Sequence, residues 1–216
     1  MFTGIIQSVG RIAGIDRRGA DSRLHIETGK LDMTDVAVGD SIAVSGVCLT
    51  AVACDANSFA ADVSAETLAS SKLGDLGEGG RVNLEKALTP QTHLGGHLVS
   101  GHVDGVGEVL RRYDEGRAVR FELKAPDELA RYIAAKGSIT VDGVSLTVNE
   151  VNGARFMLNI VPHTLQETTL DELQSGSRVN LEVDIIARYL ERLLLGEEAA
   201  KEGGITRSFL QQHGFI

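Results

Sequence analysis

Two cysteines are all the chain has in 216 residues, and Cys48 and Cys54 lie too close together along one expected strand to build a disulfide framework. Such sparing use fits a reducing compartment. No apolar run is long enough to span a membrane, and the opening MFTGIIQSVGRI lacks a basic leader followed by an apolar stretch. A soluble, cytoplasmic protein is the expectation. Positive charge is also scarce: 21 Lys and Arg face 30 Asp and Glu, a net charge of −9. Basic stretches such as RRYDEGR carry interleaved acids, which argues against a phosphate-binding stripe and a nucleic-acid partner. Tryptophan is absent and aromatics are 4% of the chain, yet 43% is hydrophobic, enough for one large domain or two small ones.

Familiar cofactor motifs are missing too. There is no HExxH and no GxxxxGK[ST]. His93, His97 and His102 fall near one another, but Gly95 and Gly96 interrupt the helix that would place the first two on one face, so no metal site is expected. GVGEVL, with Gly105 and Gly107, lacks the third glycine of a dinucleotide fingerprint and leads into a strand.

What the chain does have is a repetition. GVCLT at 46–50 returns as GVSLT at 143–147, with Cys48 replaced by Ser145. Sliding the sequence by 97 positions also places Gly4 on Gly101, Phe59 on Phe156, Thr67 on Thr164, and RVNLE on RVNLE, with 24 identities in 88 ungapped pairs. The chain is a tandem duplication. The expected domains are 1–97, 98–184 and an appendage over 185–216.

Within a copy the apolar residues mostly alternate, and short strand-like runs are separated by turn chemistry such as DRRG and DANS. In GDSIAVSGVCLTAVACD the alternation changes parity at Gly46, which suits a bulge. Short helices are expected over 30–36, 65–71, 127–135 and 163–169. Several short strands in so small a unit point to closure, which removes exposed edges, so the expected fold is all-β, two antiparallel barrels in tandem. In the appendage Ile185, Ile186, Tyr189, Leu190, Leu193 and Leu194 recur at helical spacing. This amphipathic helix could cover its own barrel or meet the same helix of another subunit.

A cysteine inside a strand is ordinarily a small buried hydrophobe, and polar Thr50, Ser145 and Thr147 are ordinary barrel-wall residues. The repeat argues for more. Its best-matched stretches include glycines and polar groups at strand ends, which suggests one ligand held twice. The change from Cys48 to Ser145 suggests two different purposes.

Together MFTGI, the GVCLT and GVSLT pair, the ETL and TL segments, GGHLVSGH and the C-terminal helix resemble the alpha-chain riboflavin synthase family over essentially the whole chain. The resemblance implies two six-stranded Greek-key barrels that each bind a lumazine, and a homotrimer built through the C-terminal helices. It implies dismutation of two 6,7-dimethyl-8-ribityllumazine molecules by four-carbon transfer, without metal or redox cofactor. Lumazine synthase is a possible partner.

The ligand contacts implied by the resemblance begin at Gly4, Ile5 and Ile6, with Cys48, Leu49 and Thr50. They continue through Asp62, Val63, Ser64, Ala65, Glu66 and Thr67, then Gly101, His102 and Val103. In the second copy they fall on Lys136, on Ser145, Leu146 and Thr147, and on Ile160, Val161, Pro162, His163, Thr164 and Leu165. Cys48 is the implied nucleophile or polariser at C7 of one lumazine. His102, Ser145 and Thr147 are the implied proton carriers at the C7-methyl group of the other. Gly39 stands where the second copy has Lys136, a further difference between the pockets. The competing reading is a non-catalytic lumazine- or flavin-binding antenna protein.

Overall fold

The computed structural model describes residues 1–200, apart from the side chains of Glu197 and Glu198. The expected tail beyond residue 200 lies outside the described residues. The first copy forms β1 (Ser8–Arg18), β2 (Asp21–Glu27), β3 (Ser41–Val44), β4 (Val47–Cys54), β5 (Ser58–Val63), α1 (Ala65–Ser70) and β6 (Arg81–Lys86). The second forms β7 (Gly105–Glu115), β8 (Ala118–Lys124), β9 (Ser138–Val141), β10 (Val144–Asn152), β11 (Arg155–Ile160), α2 (Pro162–Glu167) and β12 (Arg178–Val183). Each set closes into a six-stranded antiparallel barrel in the order β1-β2-β5-β4-β3-β6 or its equivalent in the second copy.

The alternating residues do what their period dictates. Ile12, Leu24, Ile26, Phe59, Val82 and Leu84 fill the first barrel, and Val109, Phe121, Leu123, Phe156, Val179 and Leu181 fill the second. The expected bulge at Gly46 is instead a two-residue hairpin turn between β3 and β4, with Ser45 at φ 45° and Gly46 at φ 84°. Asp142 and Gly143 repeat it at φ 49° and 80°. Positive φ at both central residues gives a primed turn, whose twist matches the strands it joins. The bulge falls further along, between Ala51 and Ala53, and recurs between Val148 and Glu150.

The helices at 65–71 and 163–169 form as α1 and α2, each running on into a 3-10 turn. The one expected over 127–135 shortens to a 3-10 helix, Asp127–Tyr132. No helix forms over 30–36. Gly29 has φ 62° there, and the Asp32 carboxylate accepts from both the N–H and the hydroxyl of Thr34, so a local turn replaces the helix. The appendage carries α3 (Ile185–Leu194), an amphipathic helix with no buried residue.

The barrels meet about a pseudo-twofold axis, and much of the repeat's identity lies there. Asn83 Nδ2 donates to Asp142 O at 2.9 Å, and Asn180 Nδ2 donates to Ser45 O at 2.8 Å. Their Oδ1 atoms accept from Thr169 N and Lys72 N. Arg81 pairs with Asp171 and Glu172, while Arg178 pairs with Asp75. A self-complementary interface asks the same residues of both partners, which accounts for RVN in each copy. Asn180→Ala would leave the half-buried Lys72 N–H and the buried Ser45 C=O unpaired, at a cost of about 2 kcal/mol. The expected result is a fall in thermal midpoint of roughly 4–8 °C by calorimetry.

Candidate lumazine site

Before each barrel's first strand runs a short strap, residues 2–7 in one copy and 99–104 in the other. The straps pair with each other, Phe2 N–H donating to Val99 O at 2.7 Å and Val99 N–H to Phe2 O at 3.1 Å. Each then crosses to the other copy. Ser145 N–H donates to Gly4 O at 2.8 Å, and Cys48 N–H donates to Gly101 O at 2.8 Å. Ile6 packs against the second barrel's core and Val103 against the first's. Each of the two groups of predicted site residues is therefore built from both copies.

A buried carboxylate anchors each strap to its own barrel. Glu85 accepts from Thr3 N, Thr3 Oγ1 and Gly4 N. Glu182 accepts from Ser100 N, Ser100 Oγ, Gly101 N and His102 N. Burial pushes both carboxyls above their ordinary range, while these donors pull them back. The final residue of RVNLE thus serves the strap.

In the first pocket β4 lies between the crossing strap and the end of β5. This brings Cys48, Leu49 and Thr50 together with Gly101, His102 and Val103 and with 62–67. Leu49 is buried, Cys48 half-buried, and Thr50 and His102 exposed. Asp62 is held by Arg23 at 2.7 Å, which keeps its carboxyl below the usual range, and Val63 is core. Ser64 caps α1 by accepting from Thr67 N, and Ala65 N–H donates to Asp21. Glu66 is exposed in the first turn.

The second pocket repeats this with Gly4, Ile5 and Ile6 beside β10. Ser145 and Leu146 are half-buried, and Ile5 and Thr147 exposed. Ile160 ends β11 in the core, exposed Val161 precedes α2, and Pro162 opens that helix ahead of His163, Thr164 and Leu165. Lys136 N–H donates to Val148 O, as Gly39 N–H does to Ala51 O, and both residues take positive φ. The predicted residues thus fall into two groups of like construction.

One neighbour of the second group entered the sequence reading only as a metal ligand that was set aside. His97 Nδ1 lies 2.8 Å from Ser145 Oγ, whereas the Cys48 thiol has no hydrogen-bond partner among the described residues. Burial holds the His97 imidazole below its ordinary pKa, with Asp184 opposing. Among the described residues no group of three His, Cys, Asp or Glu is placed to hold a metal. A cavity of about 220 Å³ lined by Arg23, His25, Cys54 and Phe59 has a counterpart of about 200 Å³ lined by Glu122, Glu150 and Phe156. Both sit beside the β4–β5 and β10–β11 turns and contain no predicted site residue.

Gly101 makes the strap's approach possible. It takes φ 79°, and a Cβ there would stand 2.7 Å from Cys48 Cβ and 2.8 Å from the Phe2 ring. Gly101→Ala is expected to cost about 2 kcal/mol through backbone strain and displacement of the strap. Chemical denaturation checks the loss, and a variant of unchanged stability would show that the strap yields freely.

The Lumazine binding domain family matches twice, over residues 3–87 and 100–184. The riboflavin synthase of Photobacterium phosphoreum is 48% identical over 217 residues, and that of Bacillus subtilis 42% identical over 216, each covering 100% of both chains. A crystal structure of LumP complexed with riboflavin superposes with a TM-score of 0.78 at 27% identity, covering 85% of this chain and 99% of that one. LumP complexed with 6,7-dimethyl-8-(1'-D-ribityl) lumazine gives a TM-score of 0.76 with the same identity and coverage. Two lumazine binding domains in tandem, matched end to end by these enzymes, place the chain in the riboflavin synthase family.

Proposed function

We propose that the chain catalyses the riboflavin synthase reaction: two molecules of 6,7-dimethyl-8-ribityllumazine exchange a four-carbon unit, giving riboflavin and 5-amino-6-(D-ribitylamino)uracil. One observation carries this reading. Two pockets of like construction differ in their reactive side chain, a thiol at Cys48 and a histidine-bonded hydroxyl at Ser145. A dismutation uses the same molecule twice in unlike roles, and such a pair of sites suits it.

In this reading 1–97 and 98–184 are the two lumazine-binding domains. Backbone groups at 62–67 and 160–165 read the edge of the flat ring. Cys48 activates C7 of the acceptor, while His102, Ser145 and Thr147 move protons at the C7-methyl of the donor. The first barrel of one subunit faces the second barrel of the next, so that the two rings meet in a fixed orientation. The segment 185–216 assembles a homotrimer. Its helix carries Tyr189, Leu190, Leu193 and Leu194, all more than half exposed in the single chain. The enzyme works in the cytoplasm, where lumazine synthase is available as a partner.

Mixing purified protein with the lumazine tests the activity. Flavin absorbance should appear with time. A stable fluorescent complex without flavin would favour the second reading, a non-catalytic antenna protein; LumP, similar in fold, forms a complex with the same lumazine. Truncation after Asp184 tests the assembly. Folded chains should then sediment as monomers at micromolar concentration, since burying such stripes contributes several kcal/mol at ~25 cal/mol per Å². A truncated trimer would remove the helix from this role.

A further inference from the structure

Each strap is fastened at both ends to the last strand of its own barrel. Gln7 Oε1 accepts from Lys86 N at 2.9 Å, and Asp104 Oδ2 accepts from Val183 N at 2.7 Å. One residue earlier on the same strands, Glu85 takes the N–H groups of Thr3 and Gly4. Glu182 takes those of Ser100, Gly101 and His102. The same short segments carry the carbonyls that meet the other barrel, Gly4 O on Ser145 N and Gly101 O on Cys48 N. Among the described residues, every donor to either carboxylate comes from a strap.

Strand register assigns these carboxylates one way and hydrogen bonding the other. Glu85 pairs with Ala43, and Ala43 with Cys48, so Glu85 stands two strands, about 10 Å, from the thiol of its own barrel. Glu182, Thr140 and Ser145 form the equivalent row. By distance Glu85 belongs with Cys48 and Glu182 with Ser145. Yet the strap that lies on Cys48 is the one Glu182 holds, and the strap on Ser145 is the one Glu85 holds. An ionised acceptor fixes several N–H groups at once and more firmly than a neutral one. We propose that Glu85 and Glu182 are positioning residues that act crosswise, Glu182 seating Gly101 and His102 over Cys48, and Glu85 seating Gly4 over Ser145. For the reaction, this rests on the riboflavin synthase reading above. Loss of a carboxylate in one barrel is then felt at the reactive strand of the other.

The test uses the full chain with Glu85→Gln and Glu182→Gln. Glutamine fills the same space, but it has one acceptor oxygen, and its NH2 turns a donor toward the strap N–H groups. Hydrogen exchange of Cys48 N–H and Ser145 N–H is read by NMR. Alkylation of Cys48 by iodoacetamide is read beside Cys54, an internal reference away from the straps, and turnover by flavin absorbance. In Glu182→Gln, exchange and alkylation at Cys48 should rise about 10-fold while Ser145 stays within about two-fold of wild type. In Glu85→Gln, exchange at Ser145 should rise about 10-fold while Cys48 stays within about two-fold. Flavin formation should fall roughly 10-fold in both, because each reaction needs both pockets in place.

The nearest-neighbour pattern, with Glu85→Gln loosening Cys48 and Glu182→Gln loosening Ser145, would overturn the crossing. Equal acceleration at both strands and at Cys54 would overturn it as well, since that marks a general loss of stability. So would no change at either strand. Should a glutamine variant not fold, Ser100→Ala and Thr3→Ala each remove one hydroxyl donor to the same carboxylates. They should give the crossed pattern at about three-fold, and its absence there counts equally against it. Failure of the wider reading looks different. Crossed exchange beside wild-type protein that makes no flavin sinks the synthase activity and leaves the crosswise positioning standing.

Discussion

Residues 1–97 produced alone will form a dimer that binds lumazine and makes flavin roughly 10³-fold more slowly, or worse, than the whole chain. In the intact molecule the Cys48 strand is completed by Gly101, and the first strap is seated beside Ser145. Both partners lie outside the fragment. A lone fragment would leave Cys48 N–H bare and expose Phe2, which is 0% exposed in the fold. An unpaired backbone group costs about 1–3 kcal/mol and an uncovered Phe about 1.5–3 kcal/mol.

A second fragment answers each demand at once. Its FTGI strap can take the place of SGH against Cys48, because Gly4 and Gly101 hold the same left-handed backbone, at φ 76° and 79°. Asn83 can reach Ser45 O of the other fragment as Asn180 does now, and Gly46 can meet Gly46 as it now meets Gly143. Two sets of these contacts bring the gain near the ~8 kcal/mol that micromolar association represents. The dimer lacks Ser145, His97 in its present seat, and Lys136, so binding survives and turnover does not. Sedimentation beside flavin absorbance checks both halves. A monomer would show that the straps contribute little, and wild-type turnover would show that the second copy is dispensable.

That prediction rests on the feature hardest to see in the sequence. The repeat, the barrels and α3 follow from a 97-residue register and from periods of two and 3.6, all local properties of the chain. The strap crossing is not local. MFTGI and VSGH say which residues lie before a barrel and nothing about which barrel they lie against. The His97 contact was hidden for the same reason: the ring reaches Ser145, 48 positions away, because the first strap has crossed to that strand.

The polar identities of the repeat misled in a related way. Asn83 and Asn180 bind the two barrels together, and Glu85 and Glu182 hold the straps, so shared polarity marked the interface and the scaffold as much as any ligand. The Gly46 turn was a question of local chemistry. A serine at φ 45° ahead of a glycine makes a primed hairpin, and the parity change that looked like a bulge was the chain reversing.

Cys48→Ser, which makes the first phrase read like the second, should leave lumazine Kd within about two-fold and lower kcat roughly 10²-fold. Thiol and hydroxyl are similar in size, and the contacts that fix this strand are made by its backbone: Cys48 N–H on Gly101 O, and the β3 and β5 pairings. Binding therefore has little to lose. Chemistry has more, because a serine hydroxyl is a weaker nucleophile than a thiol at neutral pH. Ser145 has His97 at 2.8 Å, and nothing among the described residues hydrogen-bonds the side chain at 48. The hydroxyl is the side chain that a histidine hydrogen-bonds, and among the described residues the thiol has no such bond. A loss in kcat at constant Kd marks an interaction made mainly in the transition state. If Cys48→Ser turns over like wild type, the sulfur is only part of the wall.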